Sequence, residues 1–168
     1  MGQFSLQKHI VGVLFLCAII LGGAYLMFFP TTSSPESIVE PMATIPVGPR
    51  VLIHRTTISV EVATTSAAIQ KGLSGRPSLD PEKGMLFIFT TPGRYNFWMP
   101  DMHFPIDILW IQDEVVRGIE AHVSNIFDPE NPRFYTPPIP IQYVLEVNAG
   151  FTEAHKIRVG DSVMFYDM

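Results

Sequence analysis

Apolar and polar positions fall into short strand-like stretches over the last two-thirds of the chain. "ISVEVA", Ile58 to Ala63, alternates and is rich in β-branched residues. "MLFIF", Met85 to Phe89, is a continuous apolar run of the kind found in strands buried on both faces. "FPIDILWI", Phe104 to Ile111, is another. "EVVRGIEA" follows the polar break Gln112-Asp113, which suits a hairpin turn. "YVLEV", Tyr143 to Val147, and "SVMFY", Ser162 to Tyr166, complete the set, with a Gly160-Asp161 turn before the last. Helix is scarce. Thr65 to Gly72 has an N-cap in Thr65 or Ser66 and a glycine at its end, and Phe151 to His155 gives one more turn. The pattern predicts a mainly β fold, a compact antiparallel sandwich or barrel with one or two short helices. Between Val123 and Ile141 lies a loop with prolines at 129, 132, 137, 138 and 140. Its length predicts a functional or mobile segment.

A different pattern stands in front. Ile10 to Phe29, "IVGVLFLCAIILGGAYLMFF", contains no charge. Twenty helical residues span about 30 Å, the thickness of a bilayer's hydrocarbon core. The segment predicts one N-terminal transmembrane helix. Cleavage after Ala24 is the alternative, but apolar residues continue to Phe29, which favours an uncleaved anchor. Lys8 is the only lysine or arginine before the run, so residues 1–9 are expected in the cytoplasm and the remainder outside the cell membrane. Cys17, the only cysteine, lies in the span. The exported part therefore has no disulfide and depends on its core.

Residues 30–49, rich in Pro, Ser and Thr, read as an extended linker. Residues 50–168 form one domain large enough for its own core. Its ten Lys/Arg against fourteen Asp/Glu argue against nucleic acid as a partner.

"KGLSGRPSL", "GMLFIF", "FWMPDMHFPIDILWI", "YVLEVNAG" and "IRVGDSVMF" occur in one order and spacing. Together they resemble domain-of-unknown-function family 192, a widespread group of prokaryotic proteins, over nearly all of residues 51–168. The resemblance implies a mainly β domain with one helix, often exported, and no established activity. Members often carry Lys-Asn-Thr where Pro100, Asp101 and Met102 stand here, so a role shared through those positions does not transfer. The usual Asp-Gly of a hairpin tip is replaced by Asp113-Glu114.

Candidate chemistry centres on a few polar residues in apolar surroundings. In a strand from Phe104, Asp107 shares a face with Pro105, Leu109 and Ile111, while Ile106, Ile108 and Trp110 face the other way. A carboxylate there is costly unless paired. Either it serves an acid–base or ligand site, or it is structural, bonded to backbone N–H groups or to Arg76; the structural reading is preferred. Arg76 could clamp a carboxylate or phosphate, or pair with Asp107 or Glu146. Glu146 sits mid-strand beside Val144 and also needs a partner. An Arg76–Asp107–Glu146 cluster would satisfy all three. Pro100 and Pro105 hold Met99 and Phe104 extended. Asp101-Met102-His103 then joins two strands, Phe97 and Trp98 join the core, and Trp98 and Asp107 line a rim pocket.

Arg76, Trp98, Asp101, Asp107 and Glu146 are thus the candidate ligand-binding residues. Met99, Met102 and His103 offer a thioether–imidazole set suited to Cu(I), although methionine also fills gaps in cores. His54, His103, His122 and His155 lack zinc-ligand spacing. No nucleophile elbow or phosphate-binding loop is present, and no cofactor is implied. The reading is a membrane-anchored extracytoplasmic domain binding a small ligand or an envelope partner. A hydrolase-like enzyme using Asp107 and Arg76, and a copper-binding protein using Met99, Met102 and His103, are the rivals.

Overall fold

A computed structural model describes residues 47–168. The expected transmembrane helix at 10–29, and all but the end of the expected linker, lie outside the described residues. Among the described residues no helix is long and apolar enough to cross a membrane.

Among the described residues seven strands and two short helices follow one another: β1 (Arg50–Ile53), β2 (Thr56–Ala63), α1 (Ser66–Lys71), β3 (Lys83–Gly93), β4 (Ile106–Gln112), β5 (Val115–Val123), β6 (Ile141–Asn148), α2 (Phe151–Ala154) and β7 (Val163–Tyr166). The strands form a single sheet in the order β5-β4-β6-β3-β2-β1-β7. The expected antiparallel arrangement needs one correction, because β2 and β3 are parallel. Parallel neighbours cannot be joined by a tight hairpin, and the segment carrying α1 makes this crossover. Thr65 caps α1 by accepting from Ala68 N at 3.2 Å.

The sheet curls into a half-barrel. At one corner the two edge strands meet: Val163 N donates to Glu114 O at 2.8 Å, and Val116 N donates to Asp161 O at 2.9 Å. Val116 and Val163 are buried in one cluster with Val51, Ile58, Leu109 and Leu145, so this cluster fills the concave face. Phe151 of α2 packs into it. The hairpin β4–β5 turns on Asp113 and Glu114, both left-handed at φ 54° and 56°, as a two-residue turn of this hand requires.

The second face is just as apolar. Phe87, Phe89, Ile106, Ile108, Trp110 and Val144 form its cluster. Leu73, just after α1, joins them, as do Phe97, Met99 and Met102 from the β3–β4 segment. Burying both faces explains the unbroken apolar runs of β3 and β4. Gly118 makes room for Trp110; a Cβ there would lie 2.9 Å from Trp110 Cδ1. The proline-rich loop is fastened across this face. Phe97 and Tyr135 exchange backbone bonds of 2.9 and 2.8 Å, and Arg94 donates to Pro138 O at 2.7 Å. Trp98, expected in the core, is 47% exposed and stacks on Phe134 with centroids 5.9 Å apart.

Candidate functional site

The alternation of β4 aims Asp107 at the concave side, where α2 begins, and it is 0% exposed. Asp107 Oδ1 accepts from His122 N at 2.8 Å and Gly150 N at 3.1 Å. Its Oδ2 accepts from Thr152 N at 3.0 Å and Thr152 Oγ1 at 2.7 Å. Four donors thus surround one carboxylate and tie β4 to β5 and to the start of α2. The backbone form of the structural reading describes it.

The anticipated Arg76–Asp107–Glu146 cluster does not form. Arg76 makes a two-pronged pair with Glu61 on β2, its Nη2 lying 2.7 Å from Glu61 Oε2. This pair holds the Glu61 carboxyl below its ordinary value and raises the guanidinium, in both cases chiefly through the hydrogen bond itself. A hydrolytic scheme using Asp107 with Arg76 has no shared cavity.

Glu146 differs from both. It is 6% exposed and lies on the second face, with Met85 of β3 and Ile108 of β4 as its cross-strand neighbours. Among the described residues its carboxyl group has no hydrogen bond or ion pair. Burial alone pushes its pKa up to about 8, so the group is mostly neutral at pH 7.

Glu146 opens into a cavity of about 300 Å³ lined by Gly72, Leu73, Phe87, Phe97, Trp98 and Met99, among others. Gly72 stands over it with φ 48°; a Cβ there would lie 3.3 Å from Phe87 and 4.0 Å from Glu146 Oε2. Glycine at this helix end satisfies the left-handed backbone and leaves the approach open. Ser74 Oγ donates to Pro100 O at 2.9 Å, and Gly75 N to Asp101 O at 2.8 Å, which joins the α1 side of the mouth to the β3–β4 segment. A second hollow of about 430 Å³, beside Thr64, Ile88 and Thr90, contains no buried charge among its lining residues.

Of the five candidate ligand-binding residues, Trp98 and Glu146 share this cavity, while Arg76, Asp101 and Asp107 are absent from its lining. The expected rim pocket therefore pairs Trp98 with Glu146, because strand alternation sends Asp107 to the opposite face. Asp101 is exposed, with His103 Nε2 3.3 Å from its Oδ1. Met99 and Met102 are buried core residues that also line the cavity, whereas His103 points to solvent beside Asp101. Among the described residues, no three His, Cys, Asp or Glu side chains group for a metal ion. Gln70, Lys71, Ser74, Tyr95 and Asn96 complete the polar lining. Their positions depend on the crossover and on loop folding, and no periodicity marks them.

The profile of the DUF192 family, described as an uncharacterized ACR, matches residues 50–165. A crystal structure of a protein of unknown function from Novosphingobium aromaticivorans DSM 12444 is 32% identical, with a TM-score of 0.63, covering 68% of this chain and 83% of that one. A second crystal structure, from Sinorhizobium meliloti 1021 and described as a candidate transcription regulator, is 24% identical with a TM-score of 0.63. It covers 74% of this chain and 98% of its own. Among curated proteins none matches this chain.

Proposed function

The chain belongs to the DUF192 family, and from that premise we propose that its β-domain is an extracytoplasmic, membrane-anchored module that binds a small ligand at Glu146. One observation carries the ligand reading. A carboxyl group has been placed at 6% exposure, with no donor among the described residues, in an open cavity. Burying a polar group without a partner costs on the order of 1–3 kcal/mol. Structural acids of this domain, such as Asp107, are given donors; Glu146 is given space. Perturbed acids in clefts are the common mark of a functional site. Ser74, the serine of the cavity lining, has its hydroxyl bonded to Pro100 O, which supports binding over hydrolysis. The regulator description of the Sinorhizobium protein lends nothing here at that identity, and the domain's acidic balance disfavours nucleic acid.

A thermal-shift screen of the purified full-length protein against small molecules tests the ligand reading. Binding to the native state raises the melting temperature by mass action. At least one compound is expected to raise it in the wild type and to fail when Gly72→Val fills the mouth. Equal shifts in both proteins would place the ligand elsewhere.

The anchor rests on the uncharged run Ile10 to Phe29. Full-length protein is expected to stay in the membrane fraction after carbonate washing, with an intact N-terminus. A soluble form beginning at Tyr25 would replace the anchor with a cleaved signal.

A further inference from the structure

We infer that the cavity takes a small organic cation, a primary ammonium on a short apolar body, with Glu146 as its counter-ion. The inference rests on the reading of the cavity as a ligand site and names what that site recognises. A carboxylate has about four lone-pair positions to fill. Here the strands on either side bring Met85 and Ile108, which donate nothing. An ammonium supplies three N–H donors and the missing charge together. The remaining wall suits such a guest. Phe87, Phe97 and Trp98 line the same cavity, and aromatic faces attract a desolvated cation. Phe87 and Phe97 are fixed edge to face with centroids 5.2 Å apart, so the wall is preformed. An anionic guest would meet a carboxyl group and those same rings.

The charged and titratable groups facing this space are few. Lys71 at the end of α1 and Tyr95 from the β3–β4 segment line the cavity, and neither pairs with Glu146. β4 presents no charge on this face, because Asp107 points to the other; Lys83 at the start of β3 pairs with Asp80, and Glu61 of β2, beside Met85, is taken by Arg76. Lys71 is exposed at the end of α1, and among the described residues no ion pair joins it to Glu146. A cation that needs Glu146 ionised must displace its proton. Affinity then rises with pH until the carboxyl has ionised in the free protein.

Calorimetric titration of the purified full-length protein with phenethylamine hydrochloride, and with neutral 2-phenylethanol as the control, tests this. Phenethylamine is expected to bind more tightly than 2-phenylethanol. Its affinity should rise about tenfold per pH unit from pH 6 and level off near pH 8, with one proton released per amine bound at the low end. Glu146→Gln should weaken the amine at least tenfold and leave the alcohol unchanged. Should the variant fail to fold, the wild-type pH series and proton release decide alone. Binding of 2-phenylethanol as tight as the amine, or amine affinity independent of pH, overturns the cation inference while the cavity keeps its role. Failure of both compounds, in a protein that the screen also leaves without any cavity ligand, overturns the cation inference and the ligand reading together.

Discussion

Asp107→Asn is expected to lower the unfolding free energy, and so the stability, by about 3–5 kcal/mol. The carboxylate accepts from three backbone N–H groups and the Thr152 hydroxyl at full burial. Asparagine keeps one acceptor oxygen and turns an NH2 group toward donors. Two bonds to a charged acceptor are lost, each about 1.5–3 kcal/mol, and buried donors are left unpaired. Denaturant unfolding measures the change. A loss below about 1 kcal/mol would mean that the carboxylate does not hold the start of α2. Arg76→Met should combine with it additively, since Arg76 pairs with Glu61 and not with Asp107. A coupling energy above about 0.5 kcal/mol would contradict the separation of the two sites.

Glu146→Gln is expected to act in the opposite direction, and in a pH-dependent way. The folded-state pKa of Glu146 is raised from 4.5 to about 8. Below pH 4.5 the folded and unfolded forms both carry the proton, and the glutamate has its full stability. As pH rises from there toward 8 the unfolded chain releases the proton while the folded chain keeps it, so stability falls by up to about 1.4 kcal/mol per unit. Above pH 8 the loss levels off. Glutamine has no proton to lose, so the variant should overtake the wild type by roughly 4 kcal/mol at pH 8 and match its pH trend near pH 4. Parallel unfolding curves from pH 4 to 9 measure the difference. A difference that stays flat across that range would remove the buried neutral carboxyl.

The strands were legible because their burial is simple. β3 and β4 are covered on both faces, and their unbroken apolar runs said so. Alternation placed Ile106, Ile108 and Trp110 opposite Asp107, Leu109 and Ile111, which is how β4 lies in the sheet. Glycine after Lys71 and threonine before Ser66 marked the helix ends that form. β1 carries no such signal, because four residues are too few to show a period. The parallel β2–β3 pair carries none either, because only the crossover's path decides whether a returning strand runs with or against its neighbour.

The candidate site was half legible. Glu146 and Asp107 read alike, each a lone acid in an apolar strand. Their difference lies in what the rest of the chain brings to them. α2 and β5 deliver four donors to Asp107, whereas Gly72 and Phe87 deliver none to Glu146. Trp98 looked like core because it adjoins Phe97, yet its partner is Phe134 from the distant proline-rich loop. Arg76 looked free to reach Asp107, but Glu61 takes both prongs. These pairings span long sequence separations, and spacing along the chain carries no trace of them.

Carbon-13 titration of the Glu146 side-chain carboxyl reads the protonation of this buried acid itself. The full-length protein would be labelled at glutamate, and the resonance assigned by its loss in Glu146→Gln. The carboxyl is expected to stay protonated through neutral pH, to titrate near pH 8, and to ionise at lower pH when phenethylamine is added. Titration near the ordinary carboxylate value of about 4.3, unmoved by the amine, would contradict that expectation.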